Sequence, residues 1–550
     1  MSALDRLAAA DAPARLRARD TSLFTDDPGT AALVADRLGW TDLAEAAPGV
    51  MPHVRRLAEK TAAEGVTDIV LLGMGGSSLA SLVMGAVLGT PQARLHVLDT
   101  VSPITVRATL AALDPARTVY VVASKSGGTI EPNTLYAIFR AHADEALGRE
   151  AAGLRFVAVT DPGSSLEELA GREGFSACVL AEPTVGGRFS ALTAFGLVPA
   201  ALIGADVDAL LERAAQMEAA CSQPDPRDNP GARLAAFIAD AHAAGRDKLT
   251  IVASPELATF GLWVEQLVAE SLGKHGTGVV PVVELAQGVP SGYGPDRAVA
   301  VVRYAGDEAL ADFARDPGGV PAIDLVLDGA YDLGAQFVRW EHAIALTGHL
   351  LGINPFDEPN VAEAKAATEA VLSGTAAPLA PGARAGDVAI TFAGGLSDPG
   401  HPDHSLTTAC AHALEALHRG DYLAIVAYLP DDAALLAPLH HAAPLVAGAQ
   451  GCAVCVELGP RYLHSTGQLH KGGPNTGVFV VVTTRDESDV EVPGQEWTLA
   501  ELHRAQAEGD LLTLAAHDRR ALRIDLPDAS HASVTAVARA LLGAAGVGLD

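Results

Sequence analysis

Residues 118–129 read Thr118-Val-Tyr-Val-Val-Ala123 and then Ser124-Lys-Ser-Gly-Gly-Thr129. The first half is apolar and rich in β-branched residues, which is typical of a buried strand, and a helical pattern follows the second half. Hydroxyls, glycine amides and a lysine therefore gather where a strand ends and a helix begins. Because glycine lets the backbone approach an anion closely and a helix N-terminus offers free N–H groups, the stretch predicts a cradle for the phosphate of a small molecule.

Short strand-like runs alternate with helical stretches on both sides of this segment, at 69–72, 95–98, 119–123 and 156–160. Such alternation predicts an α/β fold with parallel sheets covered by helices. Two polar or Pro/Gly-rich stretches, 222–231 and 374–386, are typical of boundaries. The predicted parts are a helical segment (1–45) and three modules (46–221, 232–373 and 387–550).

Charge and composition restrict the partners of the chain. A formal net charge of −29 over 550 residues disfavours nucleic acid and anionic membranes, whereas a small phosphate ester needs only a local positive pocket. The longest apolar stretch, 191–205, is too short to span a bilayer. Five cysteines and the lack of a signal-peptide pattern predict a cytoplasmic protein without a disulfide framework, in which Cys452 and Cys455 are buried and structural.

The second and third modules contain matching tripeptides in the same order. The pairs are Ile251-Val-Ala253 with Ile425-Val-Ala427, Val283-Glu-Leu285 with Val456-Glu-Leu458, and Ile323-Asp-Leu325 with Ile524-Asp-Leu526. The matching order, with near-constant spacing for the first two pairs, predicts an internal duplication, although short apolar tripeptides also recur by chance in an alanine-rich chain.

Several further residues could carry chemistry. Gln266 and Glu270 share one face of a helix predicted over 254–273, and Arg188 follows two glycines at a predicted helix start. The glycine-rich loop 73–78 is a second candidate anion loop. Taken alone, each is also typical of a solvated glutamate, an exposed arginine or an ordinary strand-to-helix turn.

Together these motifs resemble the glucose-6-phosphate isomerase family, in that family's order. The motifs are Gly73-Met-Gly-Gly-Ser77, Ser124-Lys-Ser-Gly-Gly-Thr129, Gly186-Gly-Arg188-Phe-Ser190, Glu270-Ser-Leu-Gly-Lys274 and Phe356-Asp-Glu-Pro-Asn-Val-Ala-Glu-Ala-Lys365. The resemblance covers roughly residues 45–370. It is greatest to the isomerase half of bacterial transaldolase/isomerase fusions, which extends over the third module as well, although no transaldolase portion is apparent.

The resemblance implies sugar-isomerase (SIS-type, flavodoxin-like) modules and the interconversion of glucose 6-phosphate and fructose 6-phosphate, a step of glycolysis and gluconeogenesis. It implies that Glu270 is the general base, that Arg188 stabilises an enediolate, and that Lys365 with a histidine assists ring opening. No metal or other cofactor is implied. The implied contacts to phosphate and sugar are Gly76, Ser77, Ser124, the backbone of Lys125, Ser126, Thr129, Gln266 and Glu358.

The chain departs from the family pattern at two places. Glu358 stands where the family usually has glutamine, which puts substrate affinity in doubt. The family's ring-opening histidine, in a loop often reading His-Ser-x-Gly-Gln, is missing from its expected place, where the chain reads Ser291-Gly-Tyr-Gly294. The motif occurs instead in the third module as His464-Ser-Thr-Gly-Gln468, while that module has apolar residues around 444–445 where Glu270 would map.

In the family this histidine comes from the neighbouring subunit. The complementary losses therefore lead to the hypothesis that the third module replaces that partner and delivers His464 within one chain, which is then active as a monomer. His470 and Lys471 are nearby alternatives. Two other functions stay open: an extension of the reaction to mannose 6-phosphate, and a sugar-phosphate-binding regulator without chemistry, against which the retained Glu270 and Arg188 argue. The loop 396–404, with clustered His and Asp, predicts either a solvated turn or a metal site.

Overall fold

A computed structural model describes residues 1–46, 49–284, 293–400, 405–485 and 489–548 of the chain. Ser291 and residues 401–404 lie outside these ranges, so the predictions made for the segments 291–294 and 396–404 are only partly covered. Within the described ranges the strands form three sheets, each flanked by helices. The α/β fold with parallel sheets is thereby confirmed.

The first sheet has the strand order β2-β1-β3-β4-β5 and is parallel throughout. All residues of β1, β3 and β4 are buried, as expected for central strands covered on both faces. Its strands are β1 Asp68–Leu72, β2 Arg94–Leu98, β3 Thr118–Ala123, β4 Phe156–Thr160 and β5 Ala177–Leu180. The helices before and within this part are α1 Ala3–Ala9, α2 Ala12–Arg17, α3 Pro28–Ala35, α4 Leu43–Ala46, α5 Met51–Ala63, α6 Leu79–Leu88, α7 Pro103–Ala112, α8 Ile130–Leu147, α9 Arg149–Gly153, α10 Ser165–Arg172, α11 Ala194–Leu202 and α12 Val207–Cys221.

The second sheet is also parallel, with the order β7-β6-β8-β9. Its strands are β6 Lys248–Ala253, β7 Val280–Val283, β8 Arg297–Tyr304 and β9 Ala322–Leu327, and its helices are α13 Pro230–Ala243, α14 Phe260–Leu272, α15 Glu308–Arg315, α16 Leu333–Leu351 and α17 Val361–Leu372. The helix predicted from Ser254 begins later, as α14, because the Ser254 hydroxyl donates to Asp307 at 2.7 Å instead of capping a helix.

The third sheet has the order β10-β11-β15-β14-β12-β13. Strands β12 to β15 are parallel, while β10 pairs antiparallel with β11 and β11 pairs antiparallel with β15. The strands are β10 Ala383–Ala385, β11 Val388–Gly394, β12 Tyr422–Ala427, β13 Ala453–Leu458, β14 Gly477–Thr484 and β15 Arg520–Leu526, and the helices are α18 Leu406–Glu415, α19 Ala433–Gln450, α20 Gly467–Gly472, α21 Leu499–Ala516 and α22 His531–Ala544.

The internal duplication predicted from the tripeptides has a structural counterpart. The order β7-β6-β8-β9 recurs as β13-β12-β14-β15. The tripeptide pairs lie on or at the end of equivalent strands as far as the described residues extend, which exclude Leu285. The two sheets meet at their equivalent edges, where the Cys455 thiol of β13 is 3.6 Å from the Pro281 carbonyl of β7. Cys452 and Cys455 are buried and free, as predicted. We propose that the three predicted modules correspond to the three sheets.

None of the helices in the described segments is long and apolar enough to cross a bilayer.

Candidate active site

The predicted phosphate cradle lies at the carboxyl end of β3 and leads into α8. Ser124 Oγ accepts a hydrogen bond from the Gly127 amide at 3.1 Å and donates to Thr129 Oγ1 at 3.3 Å. Ser126 Oγ accepts one from the Gly128 amide at 3.2 Å. Because the Thr129 side chain makes no capping hydrogen bond, the first amides of α8 are not occupied by that side chain. Hydroxyls and a helix N-terminus therefore converge in one loop, which suits a phosphate dianion.

The ammonium of Lys125 does not face this loop. Its Nζ donates to Asp161 and, at 2.9 Å, to the Pro183 carbonyl. The sequence-based grouping of a lysine with the hydroxyls is therefore wrong for the side chain. Only the Lys125 backbone remains available to an anion, as the family resemblance implies.

The second glycine-rich loop packs directly against the loop that carries Arg188. Ser190 Oγ donates to the Gly76 carbonyl at 3.1 Å, and Gly75 has a left-handed φ of +52°. Gly76 and Ser77 are partly exposed at this junction. The contact brings the first-sheet loops into one wall.

Arg188 connects the first and second sheets. Its guanidinium is 3.0 Å from Glu270 and 3.1 Å from Glu358, and it donates to the Ser271 hydroxyl at 2.9 Å. Burial opposes its charge, but Glu270 and Glu358 outweigh this and raise the pKa of Arg188. The cation is thus fixed in position and permanently charged.

Glu270, at the end of α14, has the properties of a general base. Burial raises the pKa of its carboxyl group and Arg188 offsets part of that increase, while Glu358 adds to it. The Gln266 amide donates to Glu270 at 3.1 Å. Lys274 lies in the same cluster, fully buried against Asp357 at 2.7 Å, and burial lowers its pKa to about 8. A carboxylate with a raised pKa binds a proton more strongly, which makes it a better proton acceptor.

His464 of the third module contacts both other modules. Its backbone carbonyl accepts from Gln266 at 2.8 Å, and its Nε2 is 2.9 Å from Glu131, which lies in the first turn of α8. Although burial opposes the charge of Glu131, His464 lowers the pKa of this carboxyl. Gln506 donates to the same carboxylate oxygen at 2.7 Å. The histidine is therefore oriented by a buried, ionised carboxylate.

The loop that carries His464 is fixed at both ends. Arg461 makes a bidentate ion pair with the fully buried Asp99 of the first module, with N–O distances of 2.7 and 2.8 Å. Gln468 donates to the Gly273 carbonyl at 3.1 Å and to Asn360 at 2.8 Å, both in the second module. Bidentate guanidinium–carboxylate pairs impose orientation as well as attraction. The loop is consequently held between the other two modules of the same chain.

Lys365 is exposed on α17 and lines a cavity of about 740 Å³ together with Thr129 and His464. As far as the described residues show, Glu270 and Arg188 do not line this cavity. They form a neighbouring cluster around the Arg188–Glu270 ion pair. Gln266 connects this cluster to the cavity, because its amide donates both to Glu270 and to the carbonyl of His464. Thr129, His464 and Lys365 thus share the cavity, whereas Glu270 and Arg188 lie in the adjoining cluster.

The sequence of the chain is similar to those of known proteins. Residues 52–294 match the family described as phosphoglucose isomerase. The glucose-6-phosphate isomerase of Symbiobacterium thermophilum is 32% identical over 379 residues, which are 59% of this chain and 84% of that protein. That of Rubrobacter xylanophilus is 30% identical over 414 residues, 65% of this chain and 91% of that protein.

The chain belongs to the glucose-6-phosphate isomerase family. The crystal structure of a glucose-6-phosphate isomerase from Chlamydia trachomatis is similar in fold, with a TM-score of 0.53 and 22% identity over 62% of this chain and 78% of that one. The resemblance to transaldolase fusions stays a prediction.

Sequence reasoning missed the two side chains that hold the histidine of this family member, Glu131 and Gln506. Glu131 had a local signal, because an acidic residue two positions after the cradle is unexpected beside a phosphate unless a cation accompanies it. Gln506 had none, since its partner Glu131 is 375 residues away in the chain.

The close packing of the two glycine loops predicts the effect of Gly76→Ala. A Cβ atom at Gly76 would lie 2.1 Å from the Gly187 carbonyl oxygen, so the loops must separate. We expect a loss of about 1–3 kcal/mol in the free energy of unfolding, as is typical of overpacking, with a lowered kcat/KM. The matched control is Gly187→Ala, whose Cβ would meet only the Gly76 Cα at 4.0 Å. Equal melting temperatures and activities for the two variants would contradict this packing.

Proposed function

We propose that the chain catalyses the reversible isomerisation of D-glucose 6-phosphate to D-fructose 6-phosphate through a cis-enediol. The observation that carries the proposal is the largely buried Glu270 carboxylate, 13% exposed and held 3.0 Å from the Arg188 guanidinium beside the glycine loops, in a chain of this family. A binding protein for sugar phosphates would need the cradle but no buried base.

The proposed proton transfers follow from these positions. Glu270 takes the proton from C2 and returns the same proton to C1, while the C2 hydroxyl proton ends on O1, so no electron acceptor is needed. Arg188 stabilises the negative charge that develops on the enediolate oxygens, and as a fixed cation it does so without reorganisation. Glu270 suits both halves of the reaction because its raised pKa allows it to hold the proton between the two steps.

The remaining residues bind and open the sugar in this proposal. The hydroxyls of Ser124, Ser126 and Thr129 and the amide of Lys125 hold the phosphate. His464 and Lys365, which line the same cavity, exchange protons with the ring oxygen and the anomeric hydroxyl. Gly76, Ser77 and Gln266 orient the sugar chain.

A coupled assay tests the function directly. Purified chain is mixed with fructose 6-phosphate, and glucose 6-phosphate is followed by a dehydrogenase that uses it. We expect turnover without added metal. Mannose 6-phosphate in the same assay measures whether the proton also returns to the other face of C2. Binding of fructose 6-phosphate without turnover would replace the isomerase proposal with the regulator.

Replacement of Glu358 by the family's glutamine is expected to improve binding. The variant removes a carboxylate beside an anionic substrate, so KM for fructose 6-phosphate should fall by about threefold, the size of a weak, half-exposed charge interaction. Because Glu358 also raises the pKa of Glu270, its loss lowers that pKa and moves the acidic limb of the kcat profile to lower pH. Glu363→Gln, which removes an exposed carboxylate bound to His517, is the matched control. An unchanged KM and pH profile in E358Q would contradict both effects.

Cytoplasmic location and a monomeric active chain stay predictions. The interactions of Arg461 and Gln468 support the second of them, since they bind the His464 loop to the other modules of its own chain.

A further inference from the structure

Gln506 of α21 makes one contact that bears on the reaction. Its Nε2 is 2.7 Å from Glu131 Oε1, and the same oxygen is 2.9 Å from His464 Nε2. Gln506 is 2% exposed, and its Oε1 has no hydrogen-bond partner among the described residues. This fixes the amide orientation, because a flipped amide would place two oxygens 2.7 Å apart with no proton between them.

We propose that Gln506 is a positioning residue for the isomerase: it keeps Glu131 ionised and turned towards His464, so that Nδ1 of His464 faces the sugar. This rests on the proposed isomerase function. A neutral imidazole whose Nε2–H donates to a carboxylate has its acceptor nitrogen at Nδ1, and an imidazolium can release the Nδ1 proton while its Nε2–H stays bound. The third module would then supply two residues to the reaction, His464 directly and Gln506 through Glu131.

Burial opposes the charge of Glu131, so the carboxylate relies on the groups that bind it. His464, the backbone amide of Glu131 itself and Gln506 each lower the pKa of this carboxyl group, in that order. The other titratable groups around it are Tyr428 at the end of β12, Lys365 and Glu369 of α17, and Glu496 ahead of α21; the last three line the cavity into which His464 faces. Removal of one donor therefore raises the pKa of Glu131.

Gln506→Leu tests the proposal by its pH profile. The variant lacks the donor, so Glu131 becomes protonated at a higher pH, and the acidic limb of kcat should move upward by about one pH unit. We expect kcat to fall by about tenfold at neutral pH, because the variant loses one hydrogen bond to a charged group. KM should stay within about twofold of the wild-type value. Gln495→Leu is the matched control, because Gln495 lines the same cavity but is exposed.

Gln506→Glu separates positioning from mere packing. Its carboxyl group can donate only when protonated, so its activity relative to the wild type should rise as pH falls, opposite to the trend of Q506L. Because Glu131 and the new carboxyl group at position 506 would titrate together, the pH profile of this variant reports on the pair and not on either group alone.

Nuclear magnetic resonance of the histidine ring nitrogens gives a readout that does not need turnover. In the wild type we expect His464 to carry its proton at Nε2, and in Q506L we expect resonances of both the Nε2 and the Nδ1 tautomer. A Q506L variant with wild-type kcat, pH profile and His464 resonances would overturn the inference. If Q506L and Q506E both lost activity without a shift of the pH profile, Gln506 would have only a structural role in packing, and the inference would be wrong. A wild type that isomerises no fructose 6-phosphate while His464 keeps the expected Nε2 proton would refute the proposed function but not the geometry.

Discussion

Glu270→Gln is expected to lower kcat for fructose 6-phosphate isomerisation by about a thousandfold, within the 10²–10⁴ range of a positioned general base. The amide keeps the shape of the side chain and can still accept a hydrogen bond from Gln266, but it cannot take the C2 proton. KM should change little, because the phosphate is held by the separate loop 124–129. A coupled assay over a range of fructose 6-phosphate concentrations measures both quantities.

The adjacent region of α14 offers a matched control. Glu265 is also buried and has a raised pKa, caused by burial and then by Glu457, but it does not contact Arg188. Glu265→Gln should therefore keep wild-type turnover. More than a tenth of wild-type activity in E270Q would mean that another group removes the proton. Equal inactivity of wild type and E270Q, with both binding substrate, would favour the regulator.

The wild-type enzyme should also lose activity at a higher pH than an ordinary glutamate would give. The base must be ionised to accept the proton, and burial raises the pKa of Glu270, so kcat/KM falls as pH decreases through this raised value.

His464→Ala should reduce turnover by about a hundredfold, the lower bound for loss of an acid–base group, and mixing it with a Glu270→Ala chain should restore nothing. The reason lies in the ion pair between Arg461 and Asp99 and in the contacts of Gln468, which keep each histidine with the base of its own chain. Activity of the mixture above the sum of the two variants would show that histidine is exchanged between chains. Light scattering under the assay conditions reports the oligomeric state of each sample.

His470 provides the comparison for this experiment. It is buried, lies 3.3 Å from Glu457 and forms part of the support of the loop. His470→Gln should lower the melting temperature but keep most of the turnover of the folded protein, whereas His464→Ala should lose turnover. The opposite pattern of turnover would make His470 the reacting histidine.

The local parts of the fold and site were predictable because their signals lie within short stretches of sequence. The strands predicted at 69–72, 95–98, 119–123 and 156–160 agree within one residue with the structure, since buried parallel strands read as continuous apolar runs. The proximity of Arg188 to Glu270 and Glu358 could be predicted only from the resemblance to the family. Their convergence depends on loops 82 and 170 residues apart, and no local pattern encodes such distances.

What the sequence could not give is the support of the histidine. Glu131 and Gln506 are neighbours of His464 only because the third sheet packs beside the first, and the core of the first sheet includes Val492, Leu499 and Leu502 from the third module. The side-chain direction of Lys125 was also inaccessible, because it is decided by Asp161 at the end of another strand.

The shared edge between β7 and β13 has a consequence for how the enzyme behaves in dilute solution. The second and third modules, joined by residues 374–386, meet as two separate molecules would, but their encounter is intramolecular. Its effective concentration is set by the linker and not by the amount of protein. Specific activity should therefore stay constant on dilution to a few enzyme molecules per droplet. An enzyme assembled from two chains would dissociate under these conditions and lose its activity.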